Sequence, residues 1–99
     1  MTTQTQPLTI EQIVAENAET LSYLLDQDVT ALTPADFVEA IEDAGSAFSD
    51  SFEQTNQNNG EALTAAAVFL ADTLTLDPND PDMTVLLRRA RAHLQDTEI

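Results

Sequence analysis

The residue types that most often perform catalysis are scarce in this chain. His93 is the only histidine and cysteine is absent, so a nucleophilic site would need His93 beside a serine or threonine and an orienting acid. Helical spacing instead places His93 next to Leu86, at the edge of an apolar stripe on the last predicted helix. Among 18 carboxylates, proximity carries no information about acid–base catalysis. We therefore predict that the chain is not an enzyme, with no catalytic residue and no cofactor.

Residues 77–82 (DPNDPD) have the composition of a calcium-binding loop but not its spacing. An EF-hand loop needs oxygen ligands at positions 1, 3, 5 and 12 and glycine at position 6. Counted from Asp77, Pro81 stands at position 5 and Arg88 at position 12. The run fits a turn followed by a helix start, with Asp80 as the N-cap and Pro81 in the first helical position. The sequence therefore predicts no metal site.

The charge balance is the unusual feature of the composition. Acidic residues number 18 against 3 basic ones, a formal net charge of −15, and lysine is absent. This field opposes binding to nucleic acid or to an anionic membrane, so we predict neither as a direct partner. No apolar run approaches the roughly 20 residues that span a bilayer, and the N-terminus lacks signal-peptide features. We expect a cytoplasmic protein, in the host cytoplasm if it is viral.

Helical periodicity and helix start signals predict a single helical domain over residues 9–96, preceded by a flexible tail at residues 1–8. The predicted helices cover about residues 9–27, 34–53, 61–76 and 81–94, and residues 54–60 (QTNQNNG) are predicted as a polar loop. Gly45 lies inside the second predicted helix and favours a kink or break there. No segment shows strand alternation. We predict an all-α fold, either a small four-helix bundle or two packed helical hairpins.

Residues 60–94 carry a local pattern that is similar to a tetratricopeptide half-repeat. The matching features are Ala66, the turn LTLDPN at residues 74–79, Leu87 and Ala90. The pattern departs from the repeat at Arg88, where the repeat has a small packing residue, and nothing before residue 60 repeats it. The resemblance implies only that the third and fourth predicted helices form a helix–turn–helix.

The second predicted helix separates apolar from acidic side chains. Its apolar stripe contains Phe37, Ile41, Ala44, Phe48 and Phe52. The opposite arc carries six carboxylates, those of Asp36, Glu39, Glu42, Asp43, Asp50 and Glu53. The first predicted helix repeats the arrangement, with Glu16 and Glu19 on its polar side. Residues three or four apart place a charge about every 5 Å, against one per roughly 1.7 Å of duplex DNA, so DNA mimicry would require the two acidic faces to lie side by side.

The third predicted helix is apolar nearly all round, which is typical of a central helix or of one shared with another chain. Val68, Phe69 and Leu76 lie on the side opposite its main apolar face. The three arginines, Arg88, Arg89 and Arg91, follow on the fourth predicted helix. We predict that these six residues contact a second copy of the chain or another protein. For the arginines, pairing with the acidic helices of the same chain is the alternative. Tyr23 points to the polar side of the first predicted helix, as a contact residue or lying over neighbouring side chains.

Three interpretations of the carboxylates follow. In the leading one, the chain is a non-catalytic acidic protein-binding module. It inhibits a target protein by occupying the target's basic nucleic-acid-binding surface as a phosphate-backbone mimic, as helical phage-encoded anti-defence proteins do. In the alternative, it is a salt-adapted (halophile) structural, adaptor or virion assembly protein that forms a homo-oligomer through the third and fourth predicted helices. In the third, the charge is a generic solvated surface.

Overall fold

The computed structural model describes residues 8–98, which form a small all-α bundle, as the sequence predicts. The helices are α1 (Ile10–Glu16), α2 (Ala18–Leu25), α3 (Pro34–Ser49), α4 (Gln54–Thr75) and α5 (Asp82–Gln95), with a 3-10 turn at Val29–Ala31. No strand occurs in this part of the chain. Most of the predicted tail, residues 1–7, lies outside the described residues, whereas Leu8 packs against the core.

Helix α4 is the centre of the fold and packs against both α3 and α5. The loops on either side of α4 are short, so each neighbour runs antiparallel to it. Helices α1 and α2 pack against the 3-10 turn, and α2 also contacts α3. The buried cluster draws on every helix; its fully buried members include Ile13, Leu21, Phe37, Ile41, Leu63, Leu70 and Leu94. Among residues 8–98, no helix is both long and apolar enough to cross a membrane.

The first predicted helix is divided in two at Asn17. Thr9 begins α1 with the predicted capping box, in which Gln12 is the reciprocal partner. The Asn17 side-chain Nδ2 donates to the Ile13 carbonyl oxygen at 2.8 Å. An asparagine amide that binds the backbone of the preceding turn competes with helix continuation, and Asn17 leaves the helical region at φ −114° and ψ 12°. The chain resumes at once as α2, so the break redirects the helix rather than ending it.

The predicted polar loop at residues 54–60 is wrong, since these residues form the first two turns of α4. Ser51 supplies the partners that a polar helix start needs. Its Oγ accepts from Asn56 Nδ2 at 3.1 Å, and its carbonyl oxygen accepts from Gln57 Nε2 at 2.7 Å. Helix α3 therefore stops at Ser49. Phe52 does not join the apolar stripe predicted for it and is fully exposed.

Gly45 does not kink α3, which continues through it to Ser49. It lies where the backbones of α3 and α4 cross, opposite Gly60. A Cβ on Gly45 would lie 2.5 Å from Thr64 Oγ1 and 2.9 Å from the Thr64 nitrogen. A Cβ on Gly60 would lie 2.6 Å from the Ser49 nitrogen and 2.9 Å from the Gly45 carbonyl oxygen. Only hydrogen fits at either position, so the glycines allow close helix contact instead of breaking a helix.

This contact predicts that Gly60→Ala lowers the free energy of unfolding by about 1–3 kcal/mol, the usual cost of overpacking against atoms that cannot move. In a helix, alanine is more favourable than glycine by about 1 kcal/mol. A lower free energy of unfolding would therefore show that the packing clash outweighs the gain in helix propensity. Urea denaturation measures it. The control, Ser46→Ala at an exposed position of α3, should stay within about 0.5 kcal/mol of wild type. A Gly60→Ala protein as stable as wild type would contradict the contact.

Candidate functional site

The acidic face of α3 comprises Asp36, Glu39, Glu42 and Asp43, all of which are exposed. Thr33 begins the helix by accepting a hydrogen bond from the Asp36 backbone nitrogen at 3.2 Å. The opposite side of α3 is buried through Phe37, Val38, Ile41 and Gly45. Because these residues fix the rotation of the helix against α4, the four carboxylates must face outward.

The acidic face of α3 is dense in charge along the helix axis. Asp36 and Asp43 are seven residues apart, so the four carboxylates lie within about 10 Å at a rise of 1.5 Å per residue. One strand of DNA carries roughly three phosphates over the same length, at about 3.4 Å each. A single face of α3 therefore matches one strand in charge density, although it falls short of the duplex.

Two members of the predicted six-carboxylate face do not belong to α3. Asp50 is the residue at which α3 ends, and Glu53 immediately precedes α4. The prediction that they continue the helical arc is wrong because α3 stops at Ser49 and α4 begins at Gln54. Both residues flank the exposed Phe52 in the α3–α4 loop. They therefore form a separate group at one end of the bundle.

The two carboxylates predicted on the polar side of the first helix lie on different helices. Glu16 on α1 faces α5, where its Oε2 accepts from Arg91 Nη2 at 3.0 Å and its Oε1 lies 2.9 Å from Nε without hydrogen-bond geometry. This is the one ion pair within residues 8–98. Its side chains are 39% and 40% exposed, and exposed pairs contribute at most about 1 kcal/mol. Glu19 on α2 is exposed and makes no ion pair there.

The predicted apolar and basic contact surface on α4 and α5 is partly covered by the chain itself. Phe69 stacks on His93 with ring centroids 5.7 Å apart, and the Arg89 guanidinium carbon lies 6.0 Å from the Phe69 centroid. Leu76 is half-buried, while Val68 and Arg88 are exposed. Of the six predicted contact residues, only Val68 and Arg88 are well exposed and take no part in the stacking, cation–π or ion-pair contacts described above. His93 has a packing role here, at the boundary predicted for it.

A cleft of about 670 Å³ that sequence reasoning missed lies where α2, the ends of α3 and α4, and the C-terminal segment meet. Its apolar lining includes Tyr23, Leu24 and Phe48, and its carboxylates come from Asp26, Glu53 and Glu98. The position of Tyr23 on the polar side of its helix was the one signal of this site in the sequence. Phe52 gave no signal because the helical spacing placed it in the α3 core stripe.

The floor of this cleft is held by a buried asparagine. Asn59 Nδ2 donates to the Glu98 carbonyl oxygen at 2.7 Å, and Asn59 Oδ1 accepts from the Glu98 backbone nitrogen at 2.9 Å. The two bonds satisfy a side chain that is only 1% exposed, which a buried amide requires. They also extend the ordered domain beyond residue 96, where the sequence predicts its end.

A second open groove is lined by Glu61, His93, Asp96 and Glu98, among others. Over residues 8–98, no three His, Asp or Glu side chains are arranged to hold a metal ion. The groove thus offers carboxylates and a stacked imidazole without the geometry of a metal centre.

The connection from α2 to α3 carries a carboxylate with a specific local partner. Asp28 accepts hydrogen bonds from the Thr30 hydroxyl at 2.6 Å and from the Thr30 backbone nitrogen at 3.0 Å. These bonds, the hydroxyl first, lower the pKa of Asp28 below its ordinary value of 3.8. Because the folded chain binds this proton less readily than the unfolded chain, the stabilisation is present above that value and is lost as the pH falls through the lowered pKa.

Removal of the Thr30 hydroxyl tests this assignment. We expect Thr30→Val to raise the pKa of Asp28 toward its ordinary value, with part of the lowering kept by the backbone bond. Carboxyl carbon chemical shifts followed by NMR through an acid titration measure the change. The control Thr55→Val, at an exposed site on α4, should leave Asp28 as in wild type. An Asp28 titration that Thr30→Val does not move would contradict the assignment.

The surface therefore offers an acidic face on α3 and an acid-lined aromatic cleft at the end of the bundle. The two differ in chemistry, since the first presents carboxylates alone and the second combines them with exposed rings. The geometry and the charge of these two sites are the basis for assigning them a function. No family model, no curated protein and no solved structure matches the chain.

Proposed function

We propose that this chain is a non-catalytic acidic module that binds a protein with a basic surface. It occupies a nucleic-acid-binding surface of its target and so inhibits it, the mode of action of anti-defence proteins encoded by phages. The observation that carries the proposal is the acidic face of α3. Its four carboxylates are exposed and have no cationic partner within residues 8–98.

The charge density of this face supports a phosphate-mimicking role. Four carboxylates over about 10 Å of helix approximate the spacing of one nucleic-acid strand. The contact of α3 with α4 fixes the helix backbone before binding, so that binding costs side-chain freedom but no ordering of the backbone. A net charge of −15 also favours fast electrostatic encounter with a basic partner.

Neutralising the acidic face of α3 tests the proposal. The triple variant Glu39→Gln, Glu42→Gln and Asp43→Asn should weaken competition with a labelled DNA duplex for a lysine-rich DNA-binding domain by about tenfold or more, that is by at least about 1.4 kcal/mol. Fluorescence anisotropy at physiological ionic strength measures the competition. Circular dichroism should show unchanged helicity, because all three side chains are exposed.

The matched control removes the same charge elsewhere, through Glu61→Gln, Asp72→Asn and Asp82→Asn on α4 and α5. These side chains are also exposed, so the control protein has the same net charge as the triple variant. We expect it to compete nearly as well as wild type. An equal loss of competition in both proteins would mean that net charge alone explains the effect. No loss of competition in either protein would exclude the α3 face as the binding surface.

The spread of the carboxylates favours a second candidate, a salt-adapted structural, adaptor or virion assembly protein that self-associates through α4 and α5. Acidic residues lie on all five helices, and all except the half-buried Asp80 are exposed. With one ion pair over residues 8–98, their repulsion is relieved mainly by salt. The Debye length falls from about 30 Å at 0.01 M to about 3 Å at 1 M.

The salt-adapted candidate predicts that the melting temperature rises by at least about 10 °C between 0.01 M and 1 M KCl, which corresponds to about 2 kcal/mol for a domain of this size. The triple variant of the α3 face should show a smaller rise, since it carries less charge to screen. Light scattering over the same range should reveal a homo-oligomer that Val68→Ser and Arg88→Gln weaken. A flat melting profile with a monomer throughout would exclude this candidate.

A further inference from the structure

The cleft at the end of the bundle is assembled from four separate parts of the chain. Tyr23 and Leu24 come from α2, Phe48 from the end of α3, Asn56 from the start of α4, and Glu98 from the C-terminal segment. The Asn59 bonds to the Glu98 backbone hold that last segment in place. The lining therefore depends on tertiary structure and does not form in any one helix alone.

Two aromatic rings beside this cleft are exposed to an unusual degree. Tyr23 is 67% exposed, and Phe52 is fully exposed at 102% of its reference area. Aromatic side chains, tyrosine and phenylalanine among them, are enriched in protein interfaces relative to the rest of the surface. A bundle of this size gains stability from every apolar ring that it buries, so leaving Phe52 in solvent forgoes stabilisation of the fold.

Local hydrogen bonds hold the backbone that precedes Phe52. The Ser51 Oγ accepts from the Glu53 backbone nitrogen at 3.1 Å and from Asn56 Nδ2 at 3.1 Å, and Gln57 holds the Ser51 carbonyl oxygen. Three hydrogen bonds thus immobilise the residue that precedes Phe52. The backbone that presents Phe52 is therefore held before a partner binds, so that ordering this loop costs little of the binding free energy.

The charge around the cleft specifies the partner. Asp26, Glu53 and Glu98 line it and no basic side chain does. Asp50 lies two residues before Phe52 in the adjoining loop. An apolar segment flanked by lysine or arginine complements this arrangement, with apolar side chains against the rings and cations against the rim. A second copy of the chain complements it less well, because two molecules of net charge −15 repel each other.

We infer that the cleft, together with Phe52 in the loop beside it, forms a docking surface for a basic amphipathic segment of a partner protein. Aliphatic or aromatic side chains of that segment pack against Tyr23, Leu24 and Phe48 in the cleft and against the exposed ring of Phe52. This inference takes the basic character of the partner from the proposed function and adds the apolar contact. The α3 face contributes charge along the helix. The cleft contributes apolar contacts at the end of the bundle. These contacts distinguish between partners of equal basic charge.

The test compares two synthetic helical peptides of equal charge, one with lysine and leucine at amphipathic spacing and one with alanine in place of each leucine. Wild-type protein should bind the leucine peptide about tenfold more tightly than the alanine peptide, a difference of about 1.4 kcal/mol. Phe52→Ser and Tyr23→Ser should each remove most of this preference while leaving the alanine peptide unaffected. The control is Val85→Ser, which alters an exposed apolar residue, 46% accessible, on α5.

The outcomes separate the cleft from the proposed function. Equal affinity of wild type for both peptides overturns the cleft inference and leaves the α3 face untouched. A leucine preference that Val85→Ser reduces as much as Phe52→Ser also overturns it, since attraction to any exposed apolar residue then explains the result. Self-association that Phe52→Ser abolishes would make a second copy the occupant and overturn the choice of a basic partner. Calorimetric melting checks that each variant is folded.

Discussion

The close contact between the α3 and α4 backbones at Gly45 and Gly60 determines the rest of the surface. Because hydrogen is the only substituent that fits there, the contact sets how closely the two helices approach and how each is rotated about its own axis. That rotation buries Phe37 and Ile41 and turns the acidic arc of α3 outward. It also fixes where α3 ends relative to the first turn of α4, and so where the loop between them presents its aromatic ring.

Electrostatics contributes little to holding this bundle together. A single, half-exposed ion pair joins α1 to α5 over residues 8–98, while the exposed carboxylates repel one another. The apolar cluster along α4 and a set of local hydrogen bonds from asparagine, serine and threonine must therefore outweigh the repulsion. The charge is better understood as a property of the surface, kept despite its effect on stability, than as part of the scaffold.

The sequence predicts the helices well where caps and periodicity agree, as at Thr9 and Thr33. The prediction of Asp80 as the N-cap of the last helix is wrong, since Pro81 holds that position and α5 begins at Asp82. The Asp80 carboxylate still accepts from the Asp82 nitrogen at 2.9 Å. Prediction from the sequence fails between Asp50 and Gly60, because the asparagine, threonine and glycine residues there have low helix propensity. The partners of the polar side chains also lie in a turn that local patterns do not reveal. The α3 face was predictable from spacing alone. The cleft was not, since it joins residues that are distant along the chain.

The buried Asn59 precedes Gly60, and an asparagine–glycine pair is the dipeptide most prone to spontaneous deamidation in flexible chains. Here the asparagine lies inside α4 with its amide held by the Glu98 backbone, a geometry that keeps the glycine nitrogen from attacking the side-chain carbonyl. Deamidation would replace a donor with a carboxylate facing a carbonyl oxygen, and so release the chain end. The fraction of Asn59 that is deamidated after storage therefore reports how often this end of the bundle opens.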